Sequence, residues 1–214
     1  PDFSDNKRWS NIKEAWTSLS GNGSGAAIYS SPVVNKGRVY VGNDDGQLEA
    51  YSLKDGRPLW SFKTGQRIVG GPAVADNIVV VGSADHYIYG IHAQKGTLLW
   101  KLRANGPVLG SISIDKGIAY IGASDSTFRA VNIKTGKVVW KYCGLRGYVM
   151  TKPLILSGKV IFGAWDNTLY CLRQQTGSEI WRWTGGLTRM HFSPAQCWPV
   201  SSNGKVFICD PQRA

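Results

Sequence analysis

The sequence predicts an all-β chain built from repeated four-stranded antiparallel units, and three observations predict it. First, Trp60, Trp100, Trp140 and Trp181 recur at spacings of 40, 40 and 41 residues. Second, three more series keep the same beat: Gly42, Gly82, Gly122 and Gly163; Asp45, Asp85, Asp125 and Asp166; Gly56, Gly96, Gly136 and Gly177. Third, the residues between these markers alternate Val, Ile, Tyr and Leu with polar residues, and Gly, Asp and Asn punctuate them, which is the hairpin pattern. Composition agrees. With 26 Gly, 9 Trp and only 18% charged residues, the 214-residue chain suits tight turns and large packing rings.

Each unit divides into four short runs. In the first, "SPVV" leads to a turn at Asn35-Lys36-Gly37, "RVYVG" to a turn at Asn43–Gly46, "QLEAYSL" to Lys54-Asp55-Gly56, and "PLWSFKT" closes the unit. "AVA", "IVVVG", "YIYGIHA" and "LLWKLRA" repeat the plan, and so do "SISI", "IAYIG", "TFRAVNI" and "VVWKYC". Four hairpin-linked strands make a twisted sheet with two apolar faces, which is buried only by stacking on like sheets. Radial stacking gives a β-propeller, and a period of about 40–45 residues is that of its blades.

The stretch "AVNIKTGKVVW" carries a family resemblance. Ala130, Asn132, Thr135, Gly136 and Trp140 match the tryptophan-docking motif of the PQQ-like (quinoprotein-type) β-propeller family, with Asn in place of Asp. Ala50, Gly56 and Trp60, and Thr176, Gly177 and Trp181, match it more loosely. The expectation is a PQQ-like β-propeller of four-stranded antiparallel blades, with four complete blades and a part-blade at each end. Residues 1–28 hold the outer strand of a part-blade around Trp16. Blades follow at 29–68, 69–108, 109–149 and 150–190, and 191–214 begins a further, incomplete blade. Trp16, Trp60, Trp100, Trp140 and Trp181 are expected to be buried between blades as structural docking residues. The opening "PDFSDNKRW" has no initiator Met and no apolar leader, so the chain reads as a fragment or a processed product.

Residues that recur in every unit are structural by expectation, because one active site does not need four copies. The Asp series is read as turn caps. Departures from the repeat are the better functional candidates. Trp165 stands where other units have Asp44, Ala84 and Ser124, and His86 where they have Gly46, Ser126 and Asn167. The segments entering each new inner strand also vary. They would gather Arg67, Arg146, Tyr148, Lys152, Arg189 and His191 with Trp165 at one mouth of the channel, as a cationic, aromatic rim for an anionic ligand or peptide. His92 is expected on a strand surface.

No catalytic residue is assigned. There is no GxSxG elbow, HExxH, P-loop or GxGxxG before a helix, and no metal-ligand spacing. Cys143, Cys171, Cys197 and Cys209 read as buried free thiols, with a Cys197–Cys209 disulfide as the alternative. The formal charge of +11 is spread along the chain without a basic run, so nucleic acid is not expected as partner. No run of about 18 apolar residues occurs, so no direct membrane insertion is expected.

The resemblance implies a non-catalytic binding or assembly platform in the periplasm or extracytoplasmic envelope of bacteria, with a protein or peptide partner. PQQ itself is not expected, because the quinone-dependent dehydrogenases of this superfamily add adjacent cysteines and a calcium-binding set that are missing here. The alternatives are a propeller appendage of a larger hydrolase, such as a calcineurin-like phosphoesterase, and a piece of a PQQ-dependent dehydrogenase. Four blades are half of a ring size the family commonly adopts, so a homodimer closing the ring is a further expectation.

Overall fold

The computed structural model describes residues 26–184 and 197–208. Four consecutive four-stranded antiparallel sheets follow one another along the chain. The first contains β1 (Val33–Asn35), β2 (Arg38–Gly42), β3 (Gln47–Ser52) and β4 (Pro58–Lys63). The second contains β5 (Ala73–Ala75), β6 (Ile78–Gly82), β7 (Tyr87–His92) and β8 (Leu98–Arg103). The third contains β9 (Ser113–Asp115), β10 (Ile118–Gly122), β11 (Phe128–Asn132) and β12 (Val138–Tyr142). The fourth contains β13 (Leu154–Leu156), β14 (Lys159–Ala164), β15 (Thr168–Arg173) and β16 (Glu179–Thr184). A two-stranded sheet of β17 (Val200–Ser202) and β18 (Lys205–Phe207) comes next. The described residues contain no helix.

The first strands β1, β5, β9, β13 and β17 touch their neighbours in sequence order. They line a common axis, and the sheets fan out from it as blades. At the axis the backbones meet with no room for side chains: a Cβ on Gly70 would lie 2.2 Å from the Gly110 carbonyl oxygen. Hydrogen bonds stitch these strands across blades, from the Gly71 N–H to Ser111 Oγ (2.9 Å) and from the Ile112 N–H to the Gly71 carbonyl (3.2 Å).

The core lies between blades. Tyr40, Leu48 and Ile68 meet Val79, Val81 and Ile91 in one layer. Val80, Ile88 and Val108 meet Ile121 and Ile133 in the next. Phe128, Trp140, Phe162 and Tyr170 fill the third, with the Phe128 and Phe162 rings stacked at 3.9 Å. Ile161, Leu169 and Cys171 pack against Val206 and Ile208 in the fourth. In the four-stranded sheets each second strand is largely covered on both faces, as "IVVVG" shows by being buried throughout β6.

The Trp series joins each blade to the next. The indole N–H of Trp60 donates to the Ala93 carbonyl (2.9 Å), that of Trp100 to Ile133 (2.6 Å) and that of Trp140 to Gln174 (3.0 Å). The same rings lie on the glycines of the next blade's turn. A Cβ on Gly96 would sit 2.7 Å from Trp60, one on Gly136 2.7 Å from Trp100 and one on Gly177 2.4 Å from Trp140. These glycines have φ of +69°, +68° and +71°. Glycine is therefore needed twice over, for the left-handed backbone and for the approach of the indole.

Opposite each Trp the neighbouring strand carries a small residue: Ala50, Gly90, Ala130 or Cys171. The register shifts by one residue immediately beyond this pair in every blade, leaving Leu59, Leu99, Val139 and Ile180 unopposed. Such a bulge turns the strand and re-aims its side chains.

Burial of the Trp series is graded, which corrects a uniform expectation. Trp140 is 9% exposed, Trp60 and Trp100 are half-buried, and Trp181 is 38% exposed. The rings cap the rim of each interface; Trp140 is backed by two aromatic neighbours, Phe128 and Tyr120, and Trp60 by one, Tyr40. Trp16 lies outside the described residues. Cys171 is buried, Cys197 is half-buried and Cys143 is exposed, so the expectation of a buried thiol fails at Cys143. Cys209, and with it the Cys197–Cys209 disulfide, falls outside the described residues.

Candidate functional site

Strand direction sorts the turns into two ends of the channel. The turns between second and third strands share one end with the segments that cross from each outer strand to the next blade. At that end a backbone hydrogen bond repeats. The N–H of Asp44, Ala84, Ser124 and Trp165 donates to the carbonyl of Ala27, Arg67, Pro107 and Tyr148 respectively, at 2.8–3.0 Å. Each blade thus brings one turn residue against one crossing residue.

The Asp series fastens the same two segments and does more than cap a turn. Asp85 accepts from the Tyr87 N–H in its own turn (3.0 Å), from the Gly65 N–H in the crossing (2.7 Å) and from the Tyr89 hydroxyl (2.6 Å). Asp166 does the same with Thr168, Arg146 and Tyr170 (3.1, 3.0 and 2.6 Å). Asp125 accepts from the Thr127 and Asn105 N–H groups, but its third partner is Arg129, whose guanidinium lies 2.5 Å away. That ion pair is buried, with 4% and 5% of the two side chains exposed. Blade one differs: Asn43 takes the turn N–H of Gln47 and donates to Glu49.

Burial pushes the Tyr170 hydroxyl up to about 12, and the hydrogen bond to Asp166 with its charge adds to the rise. The same causes raise Tyr89 beside Asp85. The unfolded tyrosine titrates near 10. The stability the Tyr170 hydroxyl contributes is therefore complete below about pH 10 and is lost as pH climbs through the folded value near 12. Denaturant midpoints measured across that range should fall for the wild type and fall less for Tyr170→Phe.

Against this repeated scaffold, blade four stands apart. Its turn and crossing residues are Trp165 and Tyr148, and their rings stack at 5.3 Å with planes 22° apart. Tyr148 is 39% exposed, and the Trp165 indole N–H is buried without a hydrogen-bond partner. The corresponding pairs in the earlier blades, Ala27 with Asp44, Arg67 with Ala84 and Pro107 with Ser124, form no such platform. Arg146 precedes Tyr148 by two residues; its N–H is held by Asp166 and its side chain is exposed.

Of the expected rim residues, Arg67, Arg146, Tyr148, Lys152 and Trp165 lie in the turns and crossings of this end, and only Tyr148 and Trp165 among these described residues are joined by a ring contact. Tyr148 meets Trp165. Lys152 stands nearer the axis, its ammonium 5.6 Å from the ring centre of Trp198. Arg67 is exposed two blades away from Trp165. Arg189 and His191 lie outside the described residues.

Trp198 is a site residue that the sequence reading missed. The alignment of Pro199 with Pro32 places it in register with Ser31, Gly71, Ser111 and Lys152, so a large ring where three units carry Ser or Gly is visible in the repeat itself. These five residues border a cavity of about 100 Å³ at the axis. Cofactor sites run to roughly 300–1,000 Å³, so this cavity does not fit a tricyclic quinone. Among the described residues, no group of three or more His, Cys, Asp or Glu is placed to hold a metal ion. His86 takes a positive φ in its turn, and His92 accepts backbone N–H groups of Gln94 and Lys95 through Nδ1.

Comparison with known proteins fits this architecture. Residues 62–210 match the family model described as outer membrane protein assembly factor BamB. The outer membrane protein assembly factor BamB of Alkalilimnicola ehrlichii is 33% identical over 69 residues, which are 32% of this chain and 18% of that protein. The crystal structure of BamB from Moraxella catarrhalis superposes with a TM-score of 0.73 at 18% identity, over 86% of this chain and 58% of that one. A quinohemoprotein alcohol dehydrogenase from Pseudomonas putida superposes with a TM-score of 0.67 at 16% identity, over 85% of this chain and 38% of that one, and shares the fold. The chain thus spans less than two thirds of each of these relatives. None of the comparisons supports the ring-closing homodimer expected from the sequence. The period, the blades, the tryptophan docking and the match over 62–210 together show that this chain belongs to the PQQ-like β-propeller family of the outer membrane protein assembly factor BamB.

Proposed function

We propose that this chain is a non-catalytic propeller of the bacterial cell envelope, extracytoplasmic in location, that holds a protein or peptide partner at the mouth bearing Tyr148 and Trp165. The stack of these two rings carries the reading. It is a partly exposed aromatic platform, placed where three other blades have none. Aromatic and Arg side chains supply most of the binding energy at protein interfaces. Arg146 borders the platform, and Lys152 and Arg67 add positive charge at the same end, which suits peptide carboxylates. The relatives named as outer membrane protein assembly factors support an assembly role over a catalytic one, without PQQ as a cofactor.

The test is site-specific photo-crosslinking in bacterial envelope fractions. A photoreactive phenylalanine analogue at position 148 should give one dominant adduct with a component of outer membrane assembly, weakened by Trp165→Ala. The same analogue at position 137, at the opposite end, should not. Equal adducts from the two positions would refute the reading.

A further inference from the structure

The two ends of the channel differ in charge. The end described above carries the whole Asp series, which offsets its Lys and Arg. The opposite end is formed by the turns between first and second strands and between third and fourth strands. It carries lysine in every blade and in the two-stranded sheet: Lys36, Lys95, Lys116, Lys134, Lys159 and Lys205. Its acids have partners within the chain. Asp55 pairs with Arg57 at 3.6 Å, Asp76 with Lys134 at 3.8 Å and Glu179 with Arg182 at 3.4 Å, while Asp115 accepts from Gln174 at 2.7 Å. Lys and Arg outnumber these acids among the described turns of this end. Leu53 and Leu98 are 44% and 45% exposed at this same end.

We propose that this end docks on an anionic lipid bilayer. The charges are spread across a broad end of the blade fan, so several can approach a plane together within a Debye length of about 8 Å. Lysine dominates, and a compact, hydrated charge on a flexible stem responds to charge density more than to shape, as a lipid surface requires. The exposed leucines among the lysines can enter the headgroup region. A single-stranded nucleic acid would instead need aromatic rings to stack its bases. Of the indoles nearest these turns, Trp60, Trp100 and Trp140 are already laid on the glycines of the next blade, which leaves Trp181, 38% exposed, as a single open ring of that series rather than a row of them. The inference is independent of the partner proposed for the other end.

Vesicle co-sedimentation of the purified chain tests it. The chain should partition onto vesicles of mixed phosphatidylglycerol and phosphatidylcholine, and not onto phosphatidylcholine alone. Lys36→Glu, Lys95→Glu and Lys116→Glu together should lower the partition coefficient at least about tenfold. Lys101→Glu, Arg103→Glu and Lys141→Glu, which make the same charge change on exposed outer-strand and strand-end positions, should lower it less than about threefold. Circular dichroism checks that both variants are folded, and glutamine replaces glutamate in either that is not. No partition onto phosphatidylglycerol, equal loss in both triple variants, or tighter binding to a single-stranded oligonucleotide in direct titration would overturn the proposal.

Discussion

Trp140→Ala is expected to destabilise the chain by about 3–5 kcal/mol, the range for a large aromatic deleted from a core. Trp140 is the most buried of the docking series and contacts two blades at once. Its ring stacks near Phe128 at 6.2 Å and lies against Gly177 of the following blade, and its N–H satisfies the Gln174 carbonyl. Removing it leaves a void between blades three and four and an unpaired carbonyl. Trp181→Ala, at a ring 38% exposed, should cost far less. Denaturant unfolding of the two variants gives the comparison, and equal losses would mean that blade docking does not depend on the indole.

Asp125→Ala is expected to cost a similar amount, about 3–5 kcal/mol, because it strands a buried cation. Arg129 lies 2.5 Å from Asp125 and is 3% exposed, and its Nη1 already lacks a partner. The Asn105 and Thr127 N–H groups lose their acceptor in the same change. Asp166→Ala removes the same backbone contacts but leaves a neutral Tyr170, so its cost should be smaller, about 1–3 kcal/mol. Arg129→Tyr installs the residue type that blades two and four use at this point, and should cost less than about 1.5 kcal/mol. Unfolding free energies in that order would confirm that the carboxylate ties the turn to the crossing. An Asp125→Ala loss no larger than that of Asp166→Ala would contradict the buried-pair argument.

The sequence carried the architecture because the architecture repeats. Each strand recurs in three other units, and Gly, Asp and Trp at fixed offsets mark the turns and the interfaces. The close pairing of Trp60 with Gly96, or Trp140 with Gly177, was harder to read. The two markers belong to different blades, and only three-dimensional stacking brings residue 140 onto the turn of the next unit. The bulge beside each Trp was likewise hidden, because an unopposed Leu59 or Val139 looks like any apolar strand residue. Trp181 keeps its place in the motif but is 38% exposed. The candidate site was half legible. Trp165 and Tyr148 stood out as departures from their columns, and the structure stacks them. Trp198 stands out only when the position before each inner strand is compared across all units, Ser31, Gly71, Ser111 and Lys152 being its counterparts. The charge difference between the two ends was invisible along the chain, where lysines are evenly spaced. It emerges when alternate turns are assigned to opposite ends.

Hydrogen exchange at the indole N–H groups, followed by NMR, tests the docking account most directly. Trp60, Trp100 and Trp140 each donate to a carbonyl 33 or 34 residues ahead. Their indole protons should exchange slowly, with Trp140 the slowest, while those of Trp181 and Trp183 exchange at rates near those of free indole. Uniformly fast exchange of all five would contradict a propeller whose blades are joined through their tryptophans.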